Sequence, residues 1–238
     1  KETCLNEPYG DAWHHLSALS YHVHPYKWPT IGADVSHIEA IQLEDTMDFY
    51  KKNYGPYNAI LVLSGSIGVE AGFDLAQKWF GHIPGREREP LQFSPVEILD
   101  KKVHKTVYGE VPSPAIYFAF KMKNRLDRDF YIADLISDIL SSGRSSRFYQ
   151  RLIKEQQLFS YIDAYISGTT DPGLFIVDGR LMEGVTMEQA GAAIWKELRQ
   201  MATELLPPRE LEKIKNQAES NLVFSESSAL NKSMRLAY

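Results

Sequence analysis

Leu158-Phe-Ser-Tyr-Ile-Asp-Ala-Tyr-Ile-Ser167 and Leu174-Phe-Ile-Val-Asp-Gly-Arg-Leu-Met182 flank the tripeptide Asp171-Pro172-Gly173, and they read as two strands joined by a turn. Upstream, Val103 to Glu110 and Ala115 to Lys123 make a second such pair, with Pro112 and Pro114 suited to the connection between them. Ala59 to Ser66 (AILVLSGS) is a short, almost continuous apolar run that reads as a buried strand. Strands joined by turns in this way predict an antiparallel or mixed sheet.

Around these runs the apolar residues recur at three and four. Residues 10–24 place Leu16, Leu19 and Val23 on one face before Pro25 stops the helix. Leu43 to Tyr54 is a second helix, with Glu44, Asp45 and Asp48 toward its positive end. Val69 to Phe80, Asp127 to Leu140, Ser145 to Gln156, Met187 to Leu205 and the stretch from Glu210 follow the same spacing, and Gly143 suits a helix C-cap. Pro84 to Pro95, with little periodicity, is the best linker. The fold class is therefore α+β, an antiparallel or mixed sheet layered with helices, with residues 97–225 as its compact core.

Composition bounds the chemistry. With 44% hydrophobic residues in 238, the chain can bury a core, and its 31 acids against 26 bases, interspersed, give no surface for a polyanion, so no nucleic-acid partner is expected. No apolar run approaches the ~18 residues of a membrane span. The single cysteine, Cys4, makes no intrachain disulfide and leaves localisation open, with a bacterial periplasm or cytoplasm equally suited. The first residues lack the apolar core of a signal peptide, and both ends read as cuts in a longer protein.

Four histidines, His14, His15, His22 and His24, fall within eleven residues. On a helix His15 and His22 share a face, but seven residues rise about 10.5 Å, too far for one zinc. HExxH, HxxEH and GxSxG are all missing from the sequence. Gly65-Ser66-Ile67-Gly68 is a strand-to-helix turn and not a phosphate loop. The turn Gly143-Arg144-Ser145-Ser146-Arg147 has hydroxyls to cap the following helix and guanidinium donors for a carbonyl or carboxylate, so Gly143, Ser145, Ser146 and Arg147 are the candidate substrate-binding residues.

Several segments occur in a telling order. They are His24-Pro25-Tyr26, Pro29-Thr30-Ile31-Gly32, Leu43-Glu44-Asp45, Tyr54-Gly55-Pro56, Asn58 to Gly65 and Trp79-Phe80-Gly81-His82-Ile83-Pro84. After them come Leu140 to Phe148 and Arg151 to Leu158. Over residues 8 to 236 this order resembles the pitrilysin/insulinase zinc metallopeptidase family, which includes mitochondrial processing peptidase subunits. The resemblance implies a two-layer sandwich of the LuxS/processing-peptidase type and a position in the C-terminal part of a subunit. Residues 1–56 would then be the helical remnant of the preceding catalytic half, and 57–238 the C-terminal domain. The apolar face of residues 10–24, deprived of its partner, would be exposed.

The family's zinc is held by HxxEH and a later glutamate, and the third ligand would fall at or just before the first residue, with Glu2 as a near neighbour. No cofactor is then expected in this chain, and zinc is expected in the full-length protein. Partner domains of the family carry an Arg and a Tyr seven apart, and the matching positions here are Ile153 and Ser160, with Tyr161 one residue on. Two readings stay open: the non-catalytic C-terminal part of a zinc peptidase, or a non-catalytic peptide-binding or scaffold subunit. Expected partners are a peptide, the missing half and a second peptidase-family domain or subunit.

Overall fold

The computed structural model describes residues 6–30, 32, 34–87 and 92–238, so Glu2, Cys4, Ile31 and residues 88–91 of the linker lie outside the described residues. Two compact units divide the chain: Lys1–Gly32 with Phe93–Lys215, and Ala33–Gln92 with Asn216–Tyr238.

In the first unit the predicted hairpin forms the centre. Strands β1 (Ala115–Lys121), β2 (Phe159–Ile166) and β3 (Leu174–Leu181) make an antiparallel sheet in the order β1-β3-β2, with Val177 opposite both Phe118 and Ala164. Strand β3 is central and buried along almost its whole length, as its apolar first half requires. Gly179 leaves room for β2, since a Cβ there would lie 2.7 Å from the Phe159 ring.

One sheet face is covered by α5 (Arg128–Ser141), a π-helical turn (Phe148–Glu155) and α6 (Met187–Thr203). Leu140, Phe148, Leu152, Phe159, Val177 and Ile194 fill this layer, each essentially sealed from solvent. Each such side chain stabilises the fold by about 1.5–3 kcal/mol. Helix α6 buries Ala190, Ala193, Ile194 and Glu197, the i, i+3, i+4, i+7 stripe of an amphipathic helix, and opens with a reciprocal Thr186–Gln189 capping box. Helix α5 ends at Ser141, and Gly143 takes the left-handed conformation (φ 75°) just beyond it, as the sequence predicts. The predicted helix at 145–156 is instead π-helical from Phe148, where the Gln156 N–H donates to the Arg151 carbonyl five residues back.

The other face of the sheet carries α1 (Ala12–Ser20), and here an expectation fails. The helix does not expose an orphaned apolar face: Ser17, Ser20, Tyr21 and His24 are buried, and Leu16 and Val96 pack against the cluster of Tyr21, Leu174 and Ile176. Small serines let the helix approach the sheet closely, while Val23, expected on the apolar stripe, faces solvent. His24 is fixed twice, its Nδ1 accepting from the Tyr26 N–H and its Nε2 lying 3.3 Å from Asp171 in the β2–β3 turn.

The second unit contains α2 (Val35–Glu39), α3 (Leu43–Asn53), α4 (Val69–Phe80), the end of α7 (Pro208–Ser225) and α8 (Ala229–Ala237). The ends are well specified: Asp34 accepts from the Ser36 N–H, Asp45 from the Gln42 N–H, and Lys51 and Lys52 sit in the last turn of α3. Ala59 to Ser66 and Val103 to Glu110 are not strands; among the described residues neither joins a ladder. An apolar run becomes a strand only where a neighbour takes its N–H and C=O groups.

Candidate functional site

Strand β3 changes character midway. On the face away from α5 and α6, Leu174 and Ile176 give way to Asp178 and Arg180. Antiparallel register sets Tyr117 and Asp163 on either side of Asp178, and Tyr161 beside Arg180. Tyr161 reaches this face through a bulge between Phe159 and Tyr161. Phe159 and Ile162 both point into the core, and without the extra residue the period of two would turn Tyr161 inward as well. The Ser160 hydroxyl, at the bulge, donates to the Arg180 carbonyl.

Arg180 lies among three rings, its Cζ 4.0 Å from the centroid of Tyr9, 5.2 Å from Tyr117 and 5.8 Å from Tyr161. Its Nη2 is 3.9 Å from Asp178 Oδ2, while Nη1 and Asp178 Oδ1 are buried without a hydrogen-bond partner in the structure. Burial pushes the Asp178 carboxyl upward against the pull of Arg180. Burial, with Asp178 next, pushes the Tyr161 and Tyr165 phenols up to about 12, and burial raises Tyr117 against the opposing effect of Arg180. All three phenols are therefore neutral hydroxyls near pH 7, able to donate to a carbonyl as well as accept. At the far end of the face, Lys121 lies 3.6 Å over the Tyr21 ring, its ammonium pushed down by burial. Aromatic faces, phenol donors and one guanidinium beside a carboxyl thus line this face of the sheet.

The residues predicted from sequence are split by the structure. Gly143 and Ser145 are exposed, and Ser145 accepts from Lys213 Nζ. Ser146 and Arg147 are buried: Ser146 Oγ accepts from the Tyr149 N–H, and Arg147 is held bidentately by Glu210. Arg147 is thus neither solvated nor turned to an open surface. Ile153 packs on the main core and Ser160 sits at the bulge, so neither supplies an Arg/Tyr pair. The histidines do not converge, with His15 between Asp11 and Lys105 and His24 on Asp171. Among the described residues no group of three His, Cys, Asp or Glu is placed to hold a metal, so those residues offer no zinc ligand set. The Asp178–Arg180 face was missed from sequence, although Asp-Gly-Arg interrupting Leu-Phe-Ile-Val is a visible signal.

Residues 40–218 match the family model described as the peptidase M16 inactive domain. A zinc protease PqqE of Helicobacter pylori (strain ATCC 700392 / 26695) is 23% identical over 213 residues, covering 88% of this chain and 48% of its own length. A probable mitochondrial-processing peptidase subunit beta of Schizosaccharomyces pombe is 24% identical over 172 residues, covering 68% and 37% respectively. Among solved structures, a protease from Helicobacter pylori superposes with a TM-score of 0.85 at 21% identity, over 98% of this chain and 57% of that one. A peptidase M16 inactive domain from Pseudomonas fluorescens gives 0.80 at 16% identity, over 99% and 56%. The chain spans about half the length of the curated zinc proteases it matches.

Proposed function

The chain belongs to the peptidase M16 inactive-domain family, and on that premise we propose that it is the non-catalytic half of a longer zinc endopeptidase, in which it helps to enclose the peptide substrate. The match over residues 40–218 carries this reading, and it bears out the resemblance to the pitrilysin/insulinase family. Zinc in the whole protein would be held by residues outside this chain's described part, since none here fit it. The chain's contribution is to bind and orient. The Tyr161–Arg180 face offers neutral phenols and a guanidinium to peptide carbonyls, and the exposed Gly143–Ser145 edge offers a second contact. We include in this proposal the assignment of residues 1–56 to the tail of the preceding half and 57–238 to the C-terminal domain.

The test compares the isolated chain with the complete encoded protein. The complete protein is expected to hold about one zinc per chain and to cleave peptides in a chelator-sensitive way, and the isolated chain to do neither. A stoichiometric zinc in the isolated chain, or a complete protein without metal and activity, overturns the reading. In the latter case the alternative of a peptide-binding scaffold subunit takes its place.

A further inference from the structure

Two residues apart on one face of β3, Asp178 and Arg180 each keep a buried atom without a partner in the protein, Oδ1 of the carboxyl and Nη1 of the guanidinium. Asp178 Oδ2 and Arg180 Nη2 lie 3.9 Å apart, too long for a hydrogen bond, so the pair does not close on itself. The neighbours are committed elsewhere. Asp163 Oδ1 accepts from the Ala164 N–H and its Oδ2 from the Tyr161 hydroxyl, while the Tyr9 hydroxyl is spent on both backbone groups of Ser113. One donor and one acceptor, buried on the same face and both unmade, each cost the desolvation of a polar group, and a ligand that meets the two together recovers it.

Such a ligand carries an acceptor and a donor on one edge. A carboxylate serves Nη1 but meets Asp178 with like charge, and an ammonium serves Oδ1 but meets the guanidinium. A backbone peptide group is trans, so its C=O and N–H point in opposite directions and only one of them is engaged. A primary carboxamide holds its C=O and one N–H side by side. We infer that the Asp178–Arg180 pair is a subsite for a glutamine or asparagine side chain of the bound peptide, with Nη1 donating to the amide oxygen and the amide N–H donating to Oδ1. The inference rests on the reading of this sheet face as a peptide contact. Access is past Tyr9. Its ring covers the guanidinium, 4.0 Å from Cζ, beside the exposed Asn6, Glu7 and Pro8, and its backbone holds the left-handed conformation (φ 65°) that a residue with a side chain keeps only under constraint. The constraint is the phenol on Ser113, so the ring turns aside when those bonds break.

Fluorescence anisotropy on the complete encoded protein tests this, with metal removed by chelator so that peptides bind uncut. The probes are labelled decapeptides of Ala, Gly and Ser with a single central Gln, Glu or Lys. The Gln peptide should bind at least about 10-fold tighter than either charged peptide. Asp178→Asn should move the preference toward Glu and Arg180→Met toward Lys, each by at least about 5-fold relative to Gln, opposite shifts that a merely structural pair does not give. Should Arg180→Met fail to fold, Asp178→Asn decides alone. Equal binding of the three peptides by the wild type, or an unchanged order in Asp178→Asn, overturns the inference. Tyr9→Ala should tighten the Gln peptide about 3-fold or more by removing the cover, and unchanged or weaker binding overturns the access route. Zinc content and cleavage are read on the untreated protein: Gln preference without zinc or cleavage leaves the subsite standing and removes the peptidase reading, and cleavage with zinc but no preference does the reverse.

Discussion

Arg147 directs Nε and Nη2 at the two carboxylate oxygens of Glu210, at 2.9 and 2.7 Å, joining the start of the π-helical turn to the first turn of α7. Arg147 is almost fully buried, so the pair replaces water that the guanidinium has lost. Removing one partner leaves a charge without solvation. Glu210→Gln is expected to lower unfolding stability by about 3 kcal/mol, read from denaturant melts, with the far-UV spectrum of the folded state unchanged.

The pH dependence of that loss has a defined sign. Hydrogen bonding to Arg147 holds the Glu210 carboxyl below its ordinary 4.5, so its contribution is complete above 4.5 and fades as pH falls through the folded-state value. Asp178 runs the other way: burial raises its carboxyl above 3.8, so its contribution is present below 3.8 and lost as pH rises through the folded-state value. Asp178→Asn should therefore raise Tm at pH 7 relative to its effect at pH 3.5, and Glu210→Gln should lower Tm at pH 7 by an amount that shrinks as pH falls through the folded-state value of Glu210. Parallel pH profiles for the two variants would contradict both assignments.

Phe148 and Leu152 sit one turn apart on the π-helical segment, sealed beneath the sheet. Phe148→Ala is expected to cost about 3–5 kcal/mol and Leu152→Ala about 2–5. Chemical denaturation checks the values, and a cost under 1 kcal/mol at either site would mean that the sheet layer is not packed as described.

Gly179→Ala pushes a methyl to within 2.7 Å of the Phe159 ring. A loss of about 1–3 kcal/mol is expected, with partial recovery in the Gly179→Ala/Phe159→Leu double variant because the smaller side chain makes room. Additive losses would show that the two residues do not touch.

In the complete protein, Tyr161→Phe removes one hydroxyl from an exposed phenol and should leave Tm within about 1 °C while lowering kcat/KM for peptides by about 5–20-fold, the worth of one hydrogen bond to a charged or polarised group. Ser145→Ala, at the exposed edge of the other candidate segment, should change kcat/KM less than 3-fold if the sheet face carries the main contact.

The sequence alone determined the β2–turn–β3 hairpin, because Asp171-Pro172-Gly173 permits little but a turn and the flanking residues carry a strand period. It determined α4 to the residue, since Gly68 and Gly81 bracket an uninterrupted helical stripe, and it determined the family through the order of short segments. Tertiary structure decided what depends on distant neighbours. Arg147 reads in the sequence as a guanidinium donor for substrate, but α7 brings Glu210 to it from sixty-three residues away. Counting positions puts Ser160 at the matching site, with Tyr161 one residue on, and only the structure shows that the bulge there turns the Tyr161 ring toward Arg180. Ala59 to Ser66 has the composition of a strand and is not one here, because strand formation needs a second backbone to accept its hydrogen bonds, and local sequence cannot supply it.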